Sequence, residues 1–127
     1  MGDCICILSL DEQQSDELCS AIQERPFEVR VFQDLNGLLD HLANNDCVAT
    51  IMDVDSVPAT NRMIRQMKTQ FSEVSIFFIS ERRLHPDLKD ALSQHIYACL
   101  NKPLDPDELD FWLKCVRDNE LTSRAPP

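Results

Sequence analysis

The sequence predicts an α/β domain: a parallel five-stranded sheet with helices on both faces. Short apolar runs of strand type alternate along the chain with longer segments whose apolar residues recur at helical spacing. One run, VSIFFIS at 74–80, is almost continuously apolar, as expected of a strand covered on both faces. A length of 127 residues suits one domain with a sizeable core.

The elements follow in order. CICILSL, 4–10, reads as the first strand, and the polar segment after it carries Leu18, Ala21 and Ile22 on one helical side. FEVRVF, 27–32, alternates as a second strand does. Leu35, Leu38, Leu39 and Leu42 fall at i, i+3, i+4 and i+7, with Asp34 as N-cap. CVATIMDV, 47–54, is the third strand, and Met63, Ile64, Met67 and Phe71 line the helix after it. Beyond the 74–80 strand, Leu88, Ala91, Leu92 and His95 repeat the helical spacing, and IYACL, 96–100, is the fifth strand.

The fifth helix opens at DPDE, with Asp105 as N-cap, Pro106 at the first helical position and Glu108 completing a capping box. Its apolar face carries Leu109, Trp112, Leu113 and Val116. Right-handed crossovers leave few topologies, and the flavodoxin-like order 2-1-3-4-5 is usual at this size, giving a (βα)5 three-layer sandwich. The domain is expected over 1–118, with the polar, proline-ended stretch 119–127 as a linker or disordered tail.

The formal net charge of −10 gives a surface that repels phosphate backbones and anionic membranes, which argues against direct binding to nucleic acid or membrane. The six cysteines form no C-x-x-C pair, and most lie in apolar periodic segments, where free cysteine behaves as a small hydrophobe. The start MGDCICILSL lacks a basic n-region, and no stretch reaches membrane-spanning length. A reducing cytoplasm is the expected setting.

In such a sheet the ligand site lies outside the carboxyl ends of the strands. The residues expected there are Asp11 and Glu12 after the first strand, Asp53 and Asp55 at the third, Ser80 at the fourth and Lys102 followed by Pro103 at the fifth. Clustered carboxylates repel one another unless a cation joins them, and Mg²⁺ takes a few carboxylates together with water and phosphate oxygens. An aspartate can then attack phosphorus and become an acyl phosphate, while ammonium and hydroxyl donors neutralise the transferring oxygens.

Over about residues 3–117 the chain resembles the receiver domain of bacterial two-component response regulators. The resemblance rests on Asp11–Glu12, Asp53, Ser80 and the Lys102–Pro103 dipeptide, in the family's order and near its spacing. It implies that Asp53 accepts a phosphoryl group from a histidine kinase or phosphotransfer protein, and that the domain is not a turnover enzyme. It implies Mg²⁺ held by Asp11, Glu12, Asp53 and the backbone carbonyl of Asp55, with Ser80 as switch hydroxyl and Lys102 as phosphate partner. A cis bond before Pro103 belongs to the same resemblance. So do a homodimer and an output domain after residue 127. The switching face would be the fourth helix, fifth strand and fifth helix, where His85, Asp87, Lys89, Asp90, Asp110, Lys114 and Arg117 supply charges.

The sequence also departs from the family. Pro58 stands five residues after Asp53 where the family has four, Glu81 takes the place of a small residue, with Arg82 and Arg83 behind it, and the glycine after the third-strand loop is missing. Cys99 stands where receivers often carry an aromatic; Tyr97, two positions earlier, would face the same side by strand alternation. These departures support an alternative, a phosphorylation-independent pseudo-receiver or wing-type interaction domain. A more distant alternative reads DVDSV as the D-x-D-x-[TV] motif of haloacid-dehalogenase-like phosphatases, with Asp53 as nucleophile and Asp55 as general acid.

Overall fold

The computed structural model describes residues 4–23, 27–57, 60–81 and 96–122. In chain order these hold β1 (Cys4–Leu8), α1 (Glu12–Gln23), β2 (Glu28–Phe32), α2 (Leu35–Asn44), β3 (Ala49–Asp53), α3 (Asn61–Gln70), β4 (Ser75–Ser80), β5 (Ala98–Asn101) and α4 (Pro106–Thr122). The sheet order is β2-β1-β3-β4-β5 and every pair is parallel, as the sequence predicts. The fourth predicted helix, with Leu88, Ala91, Leu92 and His95, lies outside the described residues. So do Pro58, Arg82, Arg83, His85, Asp87, Lys89 and Asp90.

Strand alternation splits the interior into two cores. Cys4, Cys6 and Leu8 of β1 face one side with Met52, Ile76 and Phe78, where Leu38, Leu42, Ile64 and Met67 of α2 and α3 cover them. Ile5 and Ile7 face the other side with Ala49, Ile51, Phe77 and Ile79, under Leu18 and Ile22 of α1 and Leu109, Leu113 and Val116 of α4. Burying a side chain such as Phe77 or Phe78 contributes roughly 1.5–3 kcal/mol.

The helix starts follow the side chains that cap them. Asp34 Oδ1 accepts from the Gly37 amide at 2.7 Å, Thr60 Oγ1 from the Met63 amide at 3.1 Å, and Asp105 Oδ1 from the Asp107 amide at 2.9 Å. Phe71, predicted on the third helical stripe, is the residue at which α3 stops, its amide closing on the Met67 carbonyl at 2.8 Å. The backbone of α4 runs on to Thr122, past the predicted end of the domain at 118, because no glycine or proline interrupts the segment. The Lys102–Pro103 bond is cis.

One strand boundary matters for function. β1 ends at Leu8 and not at Leu10, so Ser9 is the first residue beyond it; its amide still bonds the Phe32 carbonyl at 3.1 Å. Core packing is tested by unfolding in urea: Phe78→Ala should cost about 3–5 kcal/mol through the cavity it leaves. Val31→Thr, on the edge strand and 43% exposed, should stay within about 0.5 kcal/mol.

Candidate functional site

Three side chains converge because they share a sheet face. Ser9 continues the parity of Ile5 and Ile7, Asp53 that of Ala49 and Ile51, and Lys102 that of Leu100, all on the side of the α1–α4 core. The register sets Leu8 beside Met52, so the next residues, Ser9 and Asp53, meet at the rim.

Asp53 is fully buried, and both carboxylate oxygens are occupied. Oδ1 accepts from Lys102 Nζ at 2.8 Å and from the Asp55 amide at 3.2 Å. Oδ2 accepts from the hydroxyls of Ser9 and Ser56, each at 2.9 Å. A carboxylate offers about four lone-pair sites, and here four donors fill them. The hydroxyls are themselves held from behind: Ser9 Oγ accepts from the Asp11 amide at 3.1 Å and Ser56 Oγ from the Leu10 amide at 3.0 Å.

A second carboxylate shares the lysine. Asp55 Oδ2 lies 3.2 Å from Lys102 Nζ and accepts from the Glu81 amide at 2.8 Å, while Oδ1 accepts from Ser80 Oγ at 2.9 Å. Burial pushes the Asp55 carboxyl up, but the Glu81 amide, the Ser80 hydroxyl and the Lys102 ammonium together outweigh it and hold its pKa below the ordinary value. For Lys102, burial pushes down, and bonding to Asp53 and Asp55 wins and raises it.

Of the residues the sequence singles out, the structure thus joins Asp53, Asp55, Ser80 and Lys102. Asp11 and Glu12 are placed otherwise. The Asp11 carboxylate accepts from the Gln14 amide at 3.2 Å as the cap of α1, and Glu12 is the first residue of that helix; both are exposed. The side chain that follows β1 against Asp53 is Ser9. Tyr97 does not share the side of Cys99: it precedes β5, so alternation does not apply, and it packs on Phe77 and Trp112 while Cys99 joins the α2–α3 core. Sequence reasoning missed Ser9 and Ser56. Parity with Ile5 and Ile7 signals the first, and the turn that bonds the Ser56 amide to the Asp53 carbonyl at 3.2 Å places the second.

Magnesium needs oxygen lone pairs directed at one point. Around Asp53 the neighbours are an ammonium, two hydroxyl donors and an amide, and its own lone pairs are already used. Among the described residues, Gln14 Nε2 of α1 is a buried polar atom without a hydrogen-bond partner, and it too is a donor. The donor set, in this arrangement, does not fit a cation.

The chain has the fold of response-regulator receiver domains. No family model matches it, and no curated protein matches it either. Among solved structures it is similar to the signal receiver domain of an HD domain-containing protein from Pseudomonas fluorescens Pf-5, with TM-score 0.84, 16% identity, and 96% of this chain and 99% of that one covered. It is similar to full-length FixJ from B. japonicum, with TM-score 0.80, 21% identity and 92% of this chain covered, and it spans 58% of that protein. It is also similar to NtrX from Brucella abortus, with TM-score 0.81 and 17% identity over 98% of this chain, and it spans 28% of that protein.

The charged triad makes stability depend on pH at both extremes. The Asp55 pKa is depressed on folding, so its contribution is present above about 3.9 and is lost as pH falls through the folded value. The Lys102 pKa is raised, so its contribution is complete below about 10.4 and is lost as pH rises through the folded value. Both contributions are complete between these limits, but burial raises the Cys4, Cys19 and Cys99 thiols, whose contribution starts to fall above the free thiol value of about 8.5. Urea midpoints should therefore show a plateau that ends there and not at about 10.4. Lys102→Met, which strips a buried carboxylate of its ion partner, should lower that plateau by about 3–5 kcal/mol.

Proposed function

We propose that this chain is a signalling domain of receiver fold that acts by binding partner proteins, with Asp53 as the anchor of its rim and not as a phosphoryl acceptor. The observation that carries this reading is the saturation of Asp53. A nucleophilic carboxylate needs an accessible oxygen with a free lone pair along the line of attack. Here both oxygens are capped by Lys102, Ser9, Ser56 and the Asp55 amide, and the residue is 0% exposed. Ser80 is already engaged by Asp55, and an arriving phosphoryl group would bring about −1.5 to −2 charges beside Asp55 and Glu81.

The partner face in this reading includes β5 and α4, where Phe111 and Arg117 are exposed and Asp110 pairs with Lys114 at 3.2 Å. That pair contributes only about 0.3–0.5 kcal/mol to the helix, so an incoming partner can take it over at small cost. The net charge of −10 favours a protein partner over nucleic acid or an anionic membrane, and the cytoplasm is the setting proposed. Among the described residues no helix is long and apolar enough to cross a membrane.

The retained 2.8 Å contact between Lys102 and Asp53 favours a second reading, the phosphoacceptor. There the start of α1 would rearrange so that Asp11 and Glu12 join Asp53 and the Asp55 carbonyl around Mg²⁺. A histidine kinase or phosphotransfer protein would be the donor, and a homodimer or an output domain after residue 127 the recipient of the signal. A phosphatase with Asp55 as general acid is disfavoured: a general acid needs a raised pKa, and the contacts of Asp55 lower it.

Incubation with Mg²⁺ and acetyl phosphate, followed by intact mass measurement, separates the readings. The mass is expected to stay unchanged. Addition of one phosphoryl group, absent in Asp53→Asn, would replace the first reading by the second. Steady release of p-nitrophenol from its phosphate ester would point to the phosphatase.

A further inference from the structure

At the opposite end of the sheet from Asp53, three cysteines and a histidine meet. Cys4 and Cys6 stand on β1, His41 on α2, and Cys47 in the connection from α2 to β3. Their ligand atoms, three Sγ and one imidazole nitrogen, all lie within 4.8 Å of one another. Cys4 Sγ is 3.8 Å from His41 Nε2, and Cys6 Sγ is 3.3 Å from Cys47 Sγ. From Cys4 to the rim at Ser9 is a run of five residues, about 16 Å at strand rise, so this cluster is separate from the carboxylate site.

We infer that Cys4, Cys6, His41 and Cys47 form a structural zinc site. Zinc in closed sites takes four tetrahedral ligands, Cys₃His among them, at about 2.3 Å to sulfur and 2.0–2.1 Å to nitrogen. Those bond lengths put ligand atoms roughly 3.5–3.8 Å apart, which is the scale of the spacings found here. The backbone already fixes the ligands. Two residues apart on a strand, Cys4 and Cys6 point to the same face, and the Val48 amide bonds the Cys4 carbonyl at 2.9 Å, which draws the Cys47 segment against β1.

The surroundings suit a closed site. Cys4 and Cys6 are buried and Cys47 and His41 half-buried, in the core that includes Leu42, Val74 and Ile76. The Phe32 ring stands 5.2 Å from the His41 ring and packs against it, and Asn45 Nδ2 lies 3.3 Å from Nδ1. With zinc on Nε2 the Nδ1–H donates, so the Asn45 side-chain amide would turn to present its oxygen. Soft thiolates with one imidazole select zinc over the hard cations that carboxylates bind. Binding would displace the thiol protons and tie β1, α2 and the entry to β3 to one ion. The competing account is that these are buried free thiols filling a core as small hydrophobes. It does not require an imidazole nitrogen to face the sulfurs.

The reduced full chain is titrated with Co²⁺ as a spectroscopic probe, then with Zn²⁺. One equivalent of Co²⁺ should produce thiolate charge-transfer absorption in the near ultraviolet and intense tetrahedral ligand-field bands, and Zn²⁺ should abolish both. Because loss of an orienting outer group alone costs about 10–100-fold, Cys47→Ser and His41→Ala should each weaken binding by more than tenfold. Cys115→Ser and Asp53→Asn should bind as the parent does, the latter keeping this test independent of the rim. The thermal midpoint of the parent should climb with free Zn²⁺ concentration, and that of Cys47→Ser should not. Absence of the bands in the folded, reduced parent would overturn the inference, as would bands that survive in Cys47→Ser or vanish in Cys115→Ser.

Discussion

The rim of this domain is organised by the need to compensate one buried carboxylate. Asp53 ends the central strand β3 with no solvent contact, and an ionised carboxyl in that position is tolerated only when charge and hydrogen bonds replace its water. The four donors that do so come from three separate stretches: Ser9 after β1, the Asp55 amide and Ser56 in the turn after β3, and Lys102 after β5. Each connection takes the path that delivers its donor. The Asp55 carboxylate then reaches the exposed side of the same lysine and gathers Ser80 and the Glu81 amide, which joins the end of β4 to the network.

The same network explains why a familiar set of residues does not by itself amount to phosphoryl chemistry. A lysine–aspartate contact is compatible with a phosphoryl site and with a static ion pair. What separates them is the identity of the other neighbours: lone pairs for a metal in one case, hydrogen-bond donors in the other. Ser9 and Ser56 are donors. With the Asp11 carboxylate capping α1 and Glu12 at its first position, the proposed reading makes the site a polar lock between strands and leaves variable output to the surface around it.

The two ends of the sheet differ in chemistry for a geometric reason. Alternation along β1 sends Cys4, Cys6 and Leu8 to the α2–α3 side and Ile5, Ile7 and Ser9 to the α1–α4 side. Sulfur and imidazole groups therefore collect at the amino end on one face, and the carboxylate with its hydrogen-bond donors at the carboxyl end on the other. One five-residue strand serves both.

Parity and capping made much of the fold legible before any coordinates. The apolar runs named all five strands, Asp34 and Asp105 marked helix starts that hold, and the order of the sheet follows from parallel connections of one hand. Ser9 went unnoticed beside the acids at 11 and 12 because a strand boundary is set by pairing, and two residues decide which side chain meets Asp53. Apolar Leu10 extended the run in sequence, yet its amide turns to Ser56 in the fold. The cysteine–histidine cluster stayed hidden for a like reason: the pair Cys4 and Cys6 lies far along the chain from His41 and Cys47, and only packing α2 against β1 brings the four within reach of one another. Local pattern determines which faces are apolar, because side-chain direction repeats with the backbone. The partners of a polar atom are decided by tertiary structure, because hydrogen bonds and metal bonds form over a few ångströms of space whatever the separation in sequence.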